Sequence, residues 1–316
     1  MKQNKKSIII IAVILIILII AGLLIFFGTR GSKEQPFLSP VGLCVDEEGG
    51  GLYVSDEGTN TILWFDGQKA KTIAGKELPY CDDAPIGGYH DGLAENALFD
   101  EPVALIPWMD GIVVSDSENH ALRYIANGEV KSLFDRRTVP QPDGTERNLF
   151  EEPFGLAVDD EGYLYVADSV LGCISRIGQD GSIHVIVDGM ECPTGLCWAD
   201  GYLYITDRGT NQIYRWANQY LQVVAGSGSE GLEDGSVITA SFCAPSGIVS
   251  YDGCLYIADS GNSSVRKIEG DQVTTILTMD ENKNNLWPVR PVGITVLDGK
   301  LYIADAFAGV VLPLDP

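Results

Sequence analysis

Apolar positions along this chain follow two regimes. From Ile8 to Phe27, twenty consecutive residues carry no charge and are almost all Ile, Leu, Val, Ala or Phe. At about 1.5 Å per residue the run spans about 30 Å, the thickness of a bilayer core, and predicts one transmembrane helix. Beyond residue 36 the apolar residues come in short alternating runs broken by Gly, Asp and Asn, the two-residue period of half-buried strands. One arrangement recurs six times. It starts with Pro, usually with a Gly two residues on, then runs through an apolar stretch and a turn to an aromatic-aliphatic stretch ending in Asp. The copies run Pro40 to Asp56, Pro102 to Asp116, Pro153 to Asp168, Pro193 to Asp207, Pro245 to Asp259 and Pro291 to Asp305.

Each copy reads as a hairpin. Asp200-Gly201, Asp252-Gly253 and Asp298-Gly299 are turn dipeptides between strands, and LYVAD or LYIAD is rich in strand-forming residues. A polar turn such as Arg208-Gly209-Thr210-Asn211 follows, then a third strand (Gln212 to Trp216) and a fourth (Leu221 to Ala225). Six four-stranded units at spacings of 39 to 60 residues predict propeller blades. The predicted fold is all-β, a six-bladed β-propeller preceded by one transmembrane helix. The predicted organisation is a cytoplasmic tail (1–7), a signal anchor (8–27), a linker (28–35) and the propeller (36–316). The sixth unit ends after its third strand, and Gln35 to Leu38 is expected to supply the fourth.

The P-x-G-[LI] openings, the LY[IV]-[AS]-D strands and turns such as Asp56-Glu57-Gly58-Thr59-Asn60 resemble the NHL-repeat family; blade two even carries Asn119-His120-Ala121-Leu122. A second element links blades. It runs from Gly88 through Asp91, Gly92, Ala97 and Phe99 to Pro102, and again at the same spacing from Gly231 through Asp234, Gly235, Ala240 and Phe242 to Pro245. A version one residue shorter leads from Asp143-Gly144 through Phe150 to Pro153. The resemblance covers about residues 36–316. Blade two departs from it with Ala104 in place of the Gly, and blade six loses the polar turn at Ala306 to Gly309. The resemblance implies a six-bladed ring that binds a protein or small molecule. It leaves open an enzyme like the propeller lyases, or like the Ca²⁺-dependent lactonases, whose Glu-Gly-Pro opening is missing here.

Charge narrows the partners. The chain has 21 Lys+Arg against 44 Asp+Glu, a net charge of −23. The first 33 residues hold five of the basic residues and no acid, so the remainder carries 16 basic against 44 acidic residues. Nucleic-acid binding, which depends on basic surface, is excluded. Lys2, Lys5 and Lys6 before the apolar run place the N-terminus in the cytoplasm and the propeller outside it. Neither a small-x-small site nor a Cys follows the run, so an uncleaved anchor is expected, with membrane contact through residues 8–27.

The repeated Asp (56, 116, 168, 207, 259, 305) reads as a turn clamp rather than a carboxylate ring, with an Asp–Arg contact expected for Arg123, Arg176, Arg215 and Arg266. The Phe three residues before Pro (Phe99, Phe150, Phe242) reads as filler between blades. Residues preceding each Pro (Ser39, Glu101, Glu152, Cys192, Ala244, Arg290) should ring one channel mouth. There Glu101 and Glu152 are weak candidates for a shared Ca²⁺, which needs more oxygen ligands than two. Long inter-blade loops should open on the same face, and Tyr80, Asp83, Tyr89, His90, Asp91, Arg136, Arg137, Trp287 and Arg290 are its binding candidates. His90, His120 and His184 have no metal-ligand spacing. Of the seven Cys, Cys192 and Cys243 are the best-placed disulfide pair. The expected function is a membrane-anchored extracytoplasmic binding scaffold. The alternative is a metal-dependent lactonase- or lyase-like enzyme in the channel.

Overall fold

A computed structural model describes residues 37–79, 86–134, 138–140, 146–278 and 288–316. These form the expected all-β ring of six blades. Blade one is the antiparallel sheet Pro40–Asp46, Gly51–Asp56, Thr61–Phe65 and Ala70–Ala74; blades three and four repeat that order. Blades two and five gain a fifth strand. Gly92–Leu93 and Gly235–Ser236, both from the linking motif, pair with the outer strands Glu129–Phe134 and Gln272–Thr278. Each first strand packs against the next, and the sixth packs against the first. The apolar core lies between blades. One cluster joins Cys44, Ile62 and Ala74 of blade one, through Ala94, Ala97 and Phe99, to Leu105, Val114 and Val130 of blade two.

The opening glycine sets the distance between blades. A methyl group on Gly42 would overlap the Val103 carbonyl; on Gly155, that of Thr194; on Gly195, that of Ser246; on Gly247, that of Val292; and on Gly293, that of Val41. Hydroxyls stitch the same seam. Ser55 Oγ accepts from the Gly42 N–H (2.9 Å) and donates to the Val103 carbonyl. Thr206 Oγ1 does the same between Gly195 and Ser246 (2.7 and 2.5 Å). In blade two, where Ala104 replaces the Gly, the corresponding Ser115 hydroxyl is buried without a partner.

The repeated Asp clamps its blade as expected. Asp207 accepts from the N–H groups of Glu191, Cys192, Gly209 and Thr210, and so joins the strand lead-in to the turn. Asp305 does the same with Val289, Arg290, Phe307 and Ala308. The turn of blade six therefore survives without polar side chains, because the clamp uses only backbone donors.

The Asp–Arg contact holds in two blades, not four. Arg123 and Arg266 lie seven residues after their Asp and pair opposite Val114 and Ile257, two residues before it. Side chains alternate faces along a strand, so these Arg share the face of the Asp. They reach Asp116 (2.5 Å) and Asp259 (2.9 Å) with all four side chains fully buried. Arg176 and Arg215 lie eight residues on, opposite Tyr165 and Tyr204, and so point to the other face. There Arg176 meets Asp159 and Glu161, and Arg215 meets Gln222.

The buried Arg also anchor the linking motif. Arg123 donates to Asp91 (2.7 Å) and to the carbonyls of His90 and Leu98; Arg266 donates to Asp234 (2.8 Å) and to those of Glu233 and Ser241. Phe99 and Phe242 stack beneath them at 5.0 Å.

Two expectations change. The fourth strand of blade six is not built from Leu38, and Gln35 lies outside the described residues. Instead Phe37, also three residues before a Pro, wedges between blades six and one against Phe65, Ala304 and Val311. Cys192 and Cys243 are free thiols, and Cys243 Sγ donates to Glu230 (3.1 Å). Residues 1–36, which contain the expected anchor, also lie outside the described residues; among the described ones no helix is long and apolar enough to cross a membrane.

Gly155→Ala is expected to lower stability by about 2–4 kcal/mol, because backbone on the neighbouring blade must move. Ala104→Gly should change it by about 1 kcal/mol or less. Urea unfolding of both variants measures the difference.

Candidate binding site at the channel mouth

The hairpin register builds the mouth. Each opening Pro pairs with the closing Asp of the next strand, as Pro40 with Asp56 and Pro193 with Asp207. The residue before Pro therefore sits beside the residue after Asp. Backbone bonds fix the pairing: Glu57 N–H to Ser39 O (3.0 Å), Ser117 to Glu101 (3.2 Å), Ser169 to Glu152 (3.0 Å), Arg208 to Cys192 (2.9 Å) and Ala306 to Arg290 (3.1 Å). In five blades the residue after Asp is thus held beside the residue before Pro, the one the sequence pattern singles out. The set it misses includes Glu57 and Arg208. Its signal was the Pro–Asp pairing of the hairpin itself.

A cavity of about 210 Å³ opens there, lined by Glu57, Glu101, Glu152, Arg208, Arg290 and the hydroxyl residues Ser117, Ser246 and Ser260, among others. Its charges are segregated. Acids come from blades one to three and guanidiniums from blades four and six. Arg290 and Glu57 bond to each other at 2.8 Å, and Ser39 Oγ donates to the same carboxylate at 2.8 Å. Among the described residues, the side chains of Glu101, Glu152 and Arg208 have no bonded partner. Below the mouth the channel narrows to about 90 Å³ between the first strands, with Thr194 and Ser246 the polar side chains among its lining.

Glu101 is held by its backbone. Its φ is +50°, a left-handed conformation uncommon for a residue with a Cβ, and its N–H donates to Asn60 Oδ1 in the preceding blade (2.9 Å). Ala244 repeats this, with φ +47° and a bond to Asn211 Oδ1 (2.8 Å). The device is a blade-to-blade staple, and at position 101 it carries a carboxylate. Partial burial, then the nearby charges of Glu118, Glu57, Asp100 and Glu152, push the Glu101 carboxyl above its usual range.

The nine binding-face candidates divide. Arg290 lies at the mouth. Asp91 and Tyr89 are tied to the outer strand of blade two: Asp91 takes Arg123 and the Ser132 N–H, and Tyr89 Oη bonds Ser132 Oγ (2.6 Å). Burial alone would raise the Asp91 carboxyl, but the Ser132 N–H and Arg123 hold it below the usual carboxylate range. The His90 side chain is exposed on the same linker. Tyr80, Asp83, Arg136, Arg137 and Trp287 lie outside the described residues. Glu101 and Glu152 do line one cavity, yet no group of three or more His, Cys, Asp or Glu among the described residues is arranged to hold a metal ion.

Residues 37–65, the first three strands of blade one, match the NHL repeat. The chain carries an NHL repeat. The chain is 25% identical to NHL repeat-containing protein 2 of Gallus gallus over 89% of this chain and 39% of that protein. This chain spans only a quarter to two-fifths of the length of the curated relatives it matches. Among solved structures, an auxiliary nutrient binding protein from Bacteroides ovatus superposes with a TM-score of 0.65 at 16% identity, covering 89% of this chain and 70% of that one. Virginiamycin B lyase from Staphylococcus aureus superposes with a TM-score of 0.54 at 16% identity, over 90% and 86%. These two structural likenesses establish the propeller fold.

A raised carboxyl holds its proton more tightly folded than unfolded. Its ionisation therefore costs stability above the raised value, and that cost vanishes below the ordinary Glu range. Glu101→Gln should accordingly stabilise the propeller slightly at pH 7, by about 0.5 kcal/mol or less for a solvent-screened group, and leave it unchanged near pH 4. Thermal melts at the two pH values check both the sign and the convergence.

Proposed function

We propose that this chain is a membrane-anchored NHL propeller that binds a small-molecule ligand or protein partner outside the cytoplasm, at the channel mouth. The observation that carries the reading is the cavity itself. Among the described residues, the side chains of Glu101, Glu152 and Arg208 stand around it with no bonded partner. Unpaired charges of both signs in one small concavity suit recognition of a polar group. The Bacteroides ovatus nutrient binding protein, of the same fold, lends the reading general support. The anchor rests on the apolar run at 8–27 and the lysines before it.

The lactonase- or lyase-like alternative draws on the likeness to virginiamycin B lyase, but the histidines of this chain lie elsewhere. His120 Nδ1 contacts the Glu151 carbonyl at a blade turn, His184 is exposed on an outer strand, and His90 is on a linker. The described channel therefore presents no imidazole to a substrate.

Cells expressing the full chain should retain it in the membrane after alkaline carbonate washing, and external protease should digest the propeller; release by carbonate would refute the anchor. In crosslinking capture, a Glu101→Gln/Glu152→Gln/Arg208→Ala variant is expected to lose most of the partners or ligands held by the wild type. An identical set would remove the mouth as the site.

A further inference from the structure

The mouth supplies more than a location. Its ionic groups fall into a matched pair and an unmatched set. Glu57 and Arg290 satisfy each other at 2.8 Å and leave no net charge. Glu101 and Glu152, from adjacent blades, and Arg208, from the blade after them, remain. Resting on the mouth as the binding site, we infer that its ligand is a small dipolar cation with two cationic nitrogens and one carboxylate, the charge pattern of a free basic amino acid such as lysine.

Three features favour this class. Among the charges that line the cavity, the unmatched set carries two negatives and one positive, so a ligand with the inverse pattern compensates each of the three. The two signs are separated in space, with carboxylates on blades two and three and the guanidinium on blade four, so the ligand must carry its charges on different atoms. A planar guanidinium suits a carboxylate, to which it can offer two parallel N–H donors. Size sets the upper limit, since about 210 Å³ lies below the roughly 300–1,000 Å³ of drug-sized pockets. The apolar throat below, where Val103, Phe154 and Val292 line both mouth and channel, offers a surface to the methylene stem of such a ligand.

The held backbone of Glu101 adds preorganisation. The Asn60 staple fixes the left-handed residue, so its carboxylate is presented without waiting for a loop to order. The neighbouring acids that raise its proton affinity also strengthen the field felt by an arriving cation.

The test uses the full chain in detergent and three probes: L-lysine, cadaverine (which lacks the carboxylate) and L-norleucine (which lacks the side-chain amine). Calorimetric titration is expected to give lysine an affinity at least about tenfold above either of the others, the scale of one charge-assisted pair. Arg208→Ala should make lysine and cadaverine equal. Glu101→Gln/Glu152→Gln should bring lysine down to norleucine. Cooperative melts with midpoints no lower than the wild type's would confirm that these losses are local. Wild-type protein that binds cadaverine as tightly as lysine, or that shows no lysine binding at 10-millimolar order of concentration, overturns the ligand class. If the mouth variants nevertheless lose captured partners, the mouth stands as the site and only the class falls. If they lose nothing, both fall.

Discussion

The ring depends on how closely neighbouring blades approach at the channel wall. Five of the six opening positions are Gly because the next blade's carbonyl occupies the space a Cβ would need. That contact places each first strand against its neighbour and lets Ser55 and Thr206 stitch N–H to carbonyl across the seam. The apolar clusters between blades can close only once that spacing is set. Blade two shows the cost of a departure. With Ala104 in the Gly position, the Ser115 hydroxyl at the stitching position is buried and unbonded.

A tightly built wall also makes the mouth rigid. The Asp clamps tie strand lead-in to turn in every blade, and the residues flanking those clamps are the ones that face the cavity. The residues beside the clamps can then vary while the clamp stays constant. The positions after the repeated Asp hold Glu57, Ser117, Ser169, Arg208, Ser260 and Ala306, while the Asp before them never changes. The scaffold is six-fold, and its chemistry is not.

Much of this was readable in the sequence. The six Pro-to-Asp units, the hairpin turns and the NHL-type motifs defined the blades, and the structural role of the repeated Asp followed from its place before a turn. The Arg contacts were misjudged because spacings of seven and eight look alike in a sequence, yet on a strand they point to opposite faces. Phe37 went unrecognised as a wedge because the linking motif before it is absent. Asp91 and Tyr89 looked like loop residues free to bind, and their true partner, Arg123, is 32 residues away from Asp91, across a blade. The mouth was half legible. The residue before Pro was found by blade counting, whereas its neighbour after Asp appears only when the hairpin register is drawn.

The two Arg hubs are not spread evenly. Arg123 with Asp91, and Arg266 with Asp234, strap the linkers that lead into blades two and five, which stand three places apart in a ring of six. The closed wheel is thus reinforced across one diameter, like a barrel with two hoops driven at opposite staves. Pulling either linker away from its blade would strand a fully buried guanidinium without one of its carboxylates, the costly way to break a buried ion pair.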